Sequence, residues 1–143
     1  MKRIGLLSAL LVLITALDIS AATTREIPTI VTQGFASYKA LGSAAAMKIW
    51  LKGSSLEESE EATDQARTLS NAEAVFGRFE SFEVLQLAQL GNRTFRVFAV
   101  IHYERGPLFA SFLVYRLRND WVIQGLRFHP VPEQILPEVL FGD

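Results

Sequence analysis

The chain contains no cysteine. No disulfide can brace it, so the fold has to be held by its hydrophobic core alone. It also lacks a surplus of positive charge: 14 Lys and Arg face 15 Asp and Glu, for a net charge of −1. Binding nucleic acid through its phosphates needs a basic excess, and that class of function is excluded. No glycine-rich phosphate loop, nucleophile elbow or metal-ligand spacing occurs in the sequence. On that basis no cofactor and no metal is expected, and no residue is marked as catalytic. Internal repeats, linkers and low-complexity tracts are missing as well.

Nor is there an apolar run long enough to cross a bilayer. The longest extends from Ile4 to Leu17 and is broken by Gly5, Ser8 and Thr15. As a helix rising about 1.5 Å per residue it would reach roughly 21 Å, short of a hydrocarbon core of about 30 Å. Lys2 and Arg3 precede it, and Ser20, Ala21 and Ala22 follow. A charged start, a short apolar stretch and small residues at the cleavage point make up a secretory signal peptide. Residues 1–22 are read as that signal, cut after Ala22, with Ala21 as the alternative. With no cysteine behind the run, a lipid anchor is excluded. The expectation is a periplasmic or secreted protein without stable membrane insertion, its residues 23–143 forming one domain. Without Lys2, Arg3 and Asp18 that domain carries 12 basic and 14 acidic residues.

What the domain does have is apolar side chains in helical spacing, then in strand-like segments. Pro28 suits a first helical turn. Ile27, Ile30, Val31, Phe35, Tyr38 and Leu41 recur at steps of three and four, and Gly42 stops the stripe. Ser43 opens a second, alanine-rich helix with Met47, Ile49, Trp50 and Leu51, closed by Gly53. Ser55 and Glu58 have the capping-box spacing for a third helix, which runs to Phe76-Gly77 with room for a break at Ser70-Asn71. The glutamates of 57–61 read as its solvated face.

Beyond Gly77 the spacing predicts four strands at about 79–90, 94–104, 108–118 and 121–129. Gly91-Asn92-Arg93, Arg105-Gly106-Pro107 and Asn119-Asp120 are the turn signals between them. Asn92-Arg93-Thr94 has the form of a glycosylation sequon but reads better as part of a turn. Pro130, Pro132 and Pro137 end the sheet, leaving one helical turn at about 133–136. Helices first and an antiparallel meander afterwards is an α+β plan.

Turn lengths set the register, and a slip of one residue exchanges the two faces of a strand. A three-residue turn at 105–107 pairs His102 with Ala110 and Val100 with Phe112; a two-residue turn at 119–120 pairs Arg116 with Ile123. The face toward the helices would then hold Phe95, Val97, Ala99, Ile101, Tyr103, Phe109, Ser111, Leu113, Tyr115, Leu117, Val122, Gln124, Leu126 and Phe128. The opposite face would hold Arg96, Phe98, Val100, His102, Glu104, Phe112, Val114, Arg116, Trp121, Ile123, Arg127 and His129. That second set is too apolar for a plain solvent face, and apolar area ringed by charge marks a partner surface. Arg96, Phe98, His102, Phe112, Arg116, Trp121, Arg127 and His129 are accordingly expected to form a homodimer interface.

The stretch Phe76-Gly77-Arg78-Phe79, the hairpin from Tyr103 to Pro107, and Phe112-Leu113-Val114-Tyr115-Arg116-Leu117 followed by Asn119-Asp120-Trp121-Val122-Ile123 resemble the nuclear transport factor 2-like (NTF2-like) superfamily, in particular its small exported bacterial members. The likeness covers residues 28–136 in the order of elements. It implies a cone of curved antiparallel sheet wrapped against N-terminal helices. The superfamily hosts isomerases, dehydratases, cyclases and transport adaptors, so fold alone does not select an activity. Its enzymes place acidic residues, tyrosines or histidines inside the cone. Here the expected inner face of the last three strands has no Asp, Glu or His, which counts against acid–base catalysis of that kind.

Tyr103, Ser111, Tyr115 and Gln124 are the polar groups expected on the inner face, with Tyr38 and Trp50 directed at them from the helices. Together they describe an apolar pocket with a few hydrogen-bonding groups, suited to a small hydrophobic ligand; a filled core whose hydroxyls find local partners is the competing reading. On the outer face His102 and His129 would flank Ala110, roughly 10 Å apart at about 4.8 Å per strand, too far to share a metal, and Glu104 could pair with His102. The arginines at 96, 116, 118 and 127 either solvate the sheet, pair across a dimer or bind an anion. Three functions remain open: a non-enzymatic binding module, an isomerase or lyase using the pocket tyrosines, and a structural subunit of an envelope complex acting through the outer face.

Overall fold

A computed structural model describes residues 25–142, and the expected signal peptide at 1–22 lies outside them. Three helices, α1 (Thr29–Leu41), α2 (Ser43–Leu51) and α3 (Glu60–Phe76), precede four strands, β1 (Phe79–Gln89), β2 (Thr94–Tyr103), β3 (Gly106–Leu117) and β4 (Asp120–His129). The strands form one antiparallel sheet in the order β1-β2-β3-β4. Two short 3₁₀ turns, Pro132–Gln134 and Glu138–Leu140, end the chain. The α+β plan expected from the sequence is the one found.

The helices cover one face of the sheet. Ile30, Val31, Phe35 and Tyr38 of α1, Met47 and Trp50 of α2, and Leu69 and Ala72 of α3 share a single core with that face. Aromatic rings dominate the contact. Phe35 stacks on Phe82 at 4.1 Å and meets Trp50 edge-on at 5.0 Å, while Phe112 lies against both Trp50 and Phe128. Each such ring, fully buried, contributes about 1.5–3 kcal/mol from removed surface alone. Gly34 makes the α1–α2 crossing possible, since a Cβ there would overlap the Trp50 indole. The indole instead lies on α1 and donates to the Val31 carbonyl at 3.1 Å.

Two expectations about α3 are corrected. It begins at Glu60, not at Ser55, and its cap is Ser59, whose hydroxyl accepts from the Ala62 N–H at 3.1 Å. The segment before it is held otherwise: Ser54 Oγ donates to the Ile123 carbonyl and accepts from the Leu56 N–H, which bends residues 54–57 toward β4 and leaves Ser55 exposed. The helix also runs unbroken through Ser70-Asn71, because Leu69 and Ala72 are buried on its packed side.

The register differs from expectation as well. The β2–β3 turn has two residues, Glu104 and Arg105, with Tyr103 opposite Gly106. Val97 therefore faces Phe112, Ala99 faces Ala110 and Ile101 faces Leu108. At the next turn Leu117 pairs with Asp120 across Arg118 and Asn119, Arg118 taking a left-handed φ of 55°. A bulge opposite Leu113/Val114 then changes the parity of β4, so Ile123 and, past the bulge, Leu126 and Phe128 all reach the core.

Candidate interaction face

Reading the pairings across all four strands gives the face away from the helices row by row. Ser81, His102 and Pro107 make one row, and Glu83, Val100, Phe109 and His129 the next. Gln86, Phe98, Ser111 and Arg127 follow, then Ala88, Arg96, Leu113 and Gly125. The two central strands thus present Phe98, Val100, Phe109 and Leu113, with Tyr115 beyond them. Helices α1, α2 and α3 pack on the other face of the sheet; on this one Phe98, Phe109 and Leu113 are half-buried, and Val100 and Ser111 are buried.

Charge is sorted on the same face. Glu83 lies on the β1 side, its carboxylate placed to accept from His102 Nε2 at 3.3 Å. Arg127 and His129 lie on the β4 side. Between them Arg96 donates to Ser111 Oγ at 3.1 Å, and that hydroxyl is buried beneath its neighbours. His129 Nδ1 accepts the Val131 N–H at 3.0 Å, which fixes the start of the tail.

Of the residues expected at the interface, Arg96, Phe98, His102, Arg127 and His129 share this face. Phe112 does not: it is fully buried against Phe35, Trp50 and Phe128. Arg116 and Trp121 pair with each other at the end of the sheet, the guanidinium 5.5 Å from the indole centre, on the parity of the core. Arg118 sits in the β3–β4 turn. His102 faces Pro107 and His129 faces Phe109, so the two do not flank Ala110, and Glu104 bonds Arg78 at 2.7 Å while Glu83 takes His102. The sequence reading missed Phe109 and Leu113; their one available signal was the length of the β2–β3 turn.

The expected inner pocket is not assembled. Tyr38 and Tyr103 do meet inside, with hydroxyls 2.9 Å apart, and Trp50 is buried nearby on Val31. Ser111 and Tyr115 are on the opposite face, Tyr115 beneath the Arg93 guanidinium at 4.9 Å. Gln124 is exposed at the β4 bulge. Burial pushes the Tyr103 phenol up to about 12, and burial followed by the bond to Tyr103 raises Tyr38 as well, so both are neutral hydrogen-bonding groups at ordinary pH. Beside them Tyr38, Glu73, Arg78 and Glu104 border a surface groove of about 410 Å³. The Arg78 guanidinium holds the Glu104 carboxyl below the usual carboxylate range, with the Arg78 side chain almost fully exposed. A second groove, of about 500 Å³, runs between Ile30, Ile49 and Lys52 on one side and Trp121 and Val122 on the other. Among the described residues no group of His, Asp and Glu is placed to hold a metal, and no helix is long and apolar enough to cross a membrane.

The edges of the sheet are both blunted. On β4, Ser54 Oγ engages the Ile123 carbonyl and Gln65 Oε1 accepts the Phe128 N–H at 2.7 Å. On β1, two register shifts break the ladder near Glu80 and Leu85. Bulges and side-chain caps are the standard obstacles to edge-to-edge pairing. The face turned away from α1, α2 and α3 is the sheet's other broad side. Fold and face together define an α+β domain with a one-sided helical layer and an apolar, charge-flanked sheet on the other. No protein-family model matches the chain, nor does any curated protein or solved structure.

Proposed function

We propose that this protein is an exported, non-enzymatic interaction module that works through the uncovered face of its sheet. The observation that carries this reading is the set Phe98, Phe109 and Leu113 on the central strands, half-buried and with Arg96 among them, which lies between Glu83 on one side and Arg127 on the other. A largely apolar centre that admits arginine, inside a charged rim, is the anatomy of an association surface. The signal-like residues 1–22 support the export, and the order of elements, helices and then an antiparallel meander, supports kinship with the NTF2-like superfamily. An isomerase or lyase is disfavoured, because Ser111, Tyr115 and Gln124 lie away from the two inner tyrosines, which hydrogen-bond to each other. The test is site-specific photo-crosslinking in the producing cell. A photoreactive residue at Phe98, Phe109 or Leu113 should give protein adducts, and one at Asp64, on the exposed side of α3, should not. No adduct from any of the three face positions overturns the reading.

A further inference from the structure

Resting on the reading above, we propose that the occupant of the face is a second copy of this chain, docked about a twofold axis that runs along the strands in the plane of the interface. Such an axis lays β1 of one copy over β4 of the other and β2 over β3. The acidic side then meets the basic side. Glu83 comes opposite His129 and next to Arg127 of the second copy, twice by symmetry, since these residues occupy the same and the adjacent row. A twofold axis across the strands would instead set β1 on β1 and Glu83 in the neighbourhood of its own copy, with like charges facing.

The same axis also matches shapes. Phe98 falls on Ser111 of the second copy, large against small, and Val100 falls on Phe109, because each pair shares one row of the sheet. Arg96 falls on Leu113, clear of any directly opposed arginine. Strands stay aligned between the two sheets, as face-to-face sheet packing requires, with the layers about 10 Å apart. The size is adequate. Four strands at about 4.8 Å and ten residues at about 3.3 Å outline roughly 19 by 33 Å, or about 600 Å² of flat footprint. Side-chain relief brings that toward the about 800 Å² per partner of a standard stable interface. Neither edge competes for the contact, since Ser54 and Gln65 cap β4 and bulges interrupt β1.

The experiment is a charge exchange read by light scattering on the purified chain without its residues 1–22. The unmodified chain should show twice the chain mass at tens of micromolar. Glu83→Arg or Arg127→Glu alone puts like charges together twice and should weaken the dimer about tenfold or more. The combined Glu83→Arg/Arg127→Glu chain should regain the dimer, with thermal melting confirming that all three variants are folded; both positions are exposed, so folding should survive. A monomer at all concentrations, single exchanges without effect, or a double exchange that stays monomeric each overturns the second-copy assignment. If the chain is monomeric while Phe98 and Phe109 still crosslink to a different protein in the cell, this inference fails and the interaction reading stands. If neither contact occurs, both fail.

Discussion

The phenolic oxygens of Tyr38 and Tyr103 lie 2.9 Å apart although 65 positions separate them in the chain. The bond ties α1 to the end of β2 inside the aromatic core, where Tyr38 also stacks on Phe79 at 4.5 Å. Changing either tyrosine to phenylalanine breaks this bond and should cost about 0.5–1.5 kcal/mol, whereas changing both should cost less than the sum. Denaturant titration of the two single variants and the double variant measures the difference.

The same pair sets an alkaline limit. Burial is the first cause that keeps both phenols protonated in the folded chain, with Tyr103 pushed up to about 12, against about 10 for a solvated tyrosine. A folded-state pKa above the unfolded one means that the contribution is complete below about pH 10 and is lost as pH rises through about 12. Melting temperature should therefore fall across that window, and less steeply in the Tyr38→Phe/Tyr103→Phe chain. Equal slopes would contradict the assignment.

Gly34 touches the Trp50 indole so closely that a methyl group has no room. Gly34→Ala should cost about 3 kcal/mol, the upper end of an overpacking penalty. Trp50→Phe in the same chain should recover part of it, since the smaller ring vacates the clash. Thermal melts of the three variants decide this.

Ser59, and not Ser55, caps α3. Ser59→Ala should cost about 1 kcal/mol, the usual loss for a removed cap, while Ser55→Ala should fall within about 0.5 kcal/mol of the parent. A reversed order would place the helix start where the sequence pattern suggests it.

The β2–β3 register makes the sharpest contrast. Phe112 is fully buried and Phe109 half-buried on the other face. Phe112→Ala should cost about 3–5 kcal/mol. Phe109→Ala, measured at concentrations too low for association, should cost about 1 kcal/mol or less.

That contrast also marks where the sequence stopped being legible. The helices followed from the spacing of Ile30, Val31, Phe35 and Tyr38 and from the stops at Gly42 and Gly77, because burial of one stripe leaves an unmistakable period. The four strands followed from turn residues. The faces of β3 did not, since Leu108, Ala110, Phe112 and Val114 are hardly more apolar than Phe109, Ser111, Leu113 and Tyr115. Alternation cannot arbitrate between two apolar sets, so the turn had to decide. Arg105-Gly106-Pro107 has the stronger turn residues, yet the chain reverses at Glu104-Arg105, which lets Gly106 begin β3 where its missing Cβ makes room for the Phe76 ring. Leu126 and Phe128 were still placed correctly, because the β4 bulge shifted parity a second time. Ser111, Tyr115 and Gln124 left the expected pocket for the same reason, and only Tyr38, Trp50 and Tyr103 stayed inside.

The claim that the sheet face turned away from the helices joins two copies of the chain is tested most directly by sedimentation equilibrium of the purified chain without residues 1–22, compared with its Phe98→Asp variant over a range of concentrations. The parent should pass from one to two copies as concentration rises, and the folded Phe98→Asp chain should remain a single copy throughout. A parent that stays at one copy up to high micromolar concentration, or a variant that associates as the parent does, would contradict it.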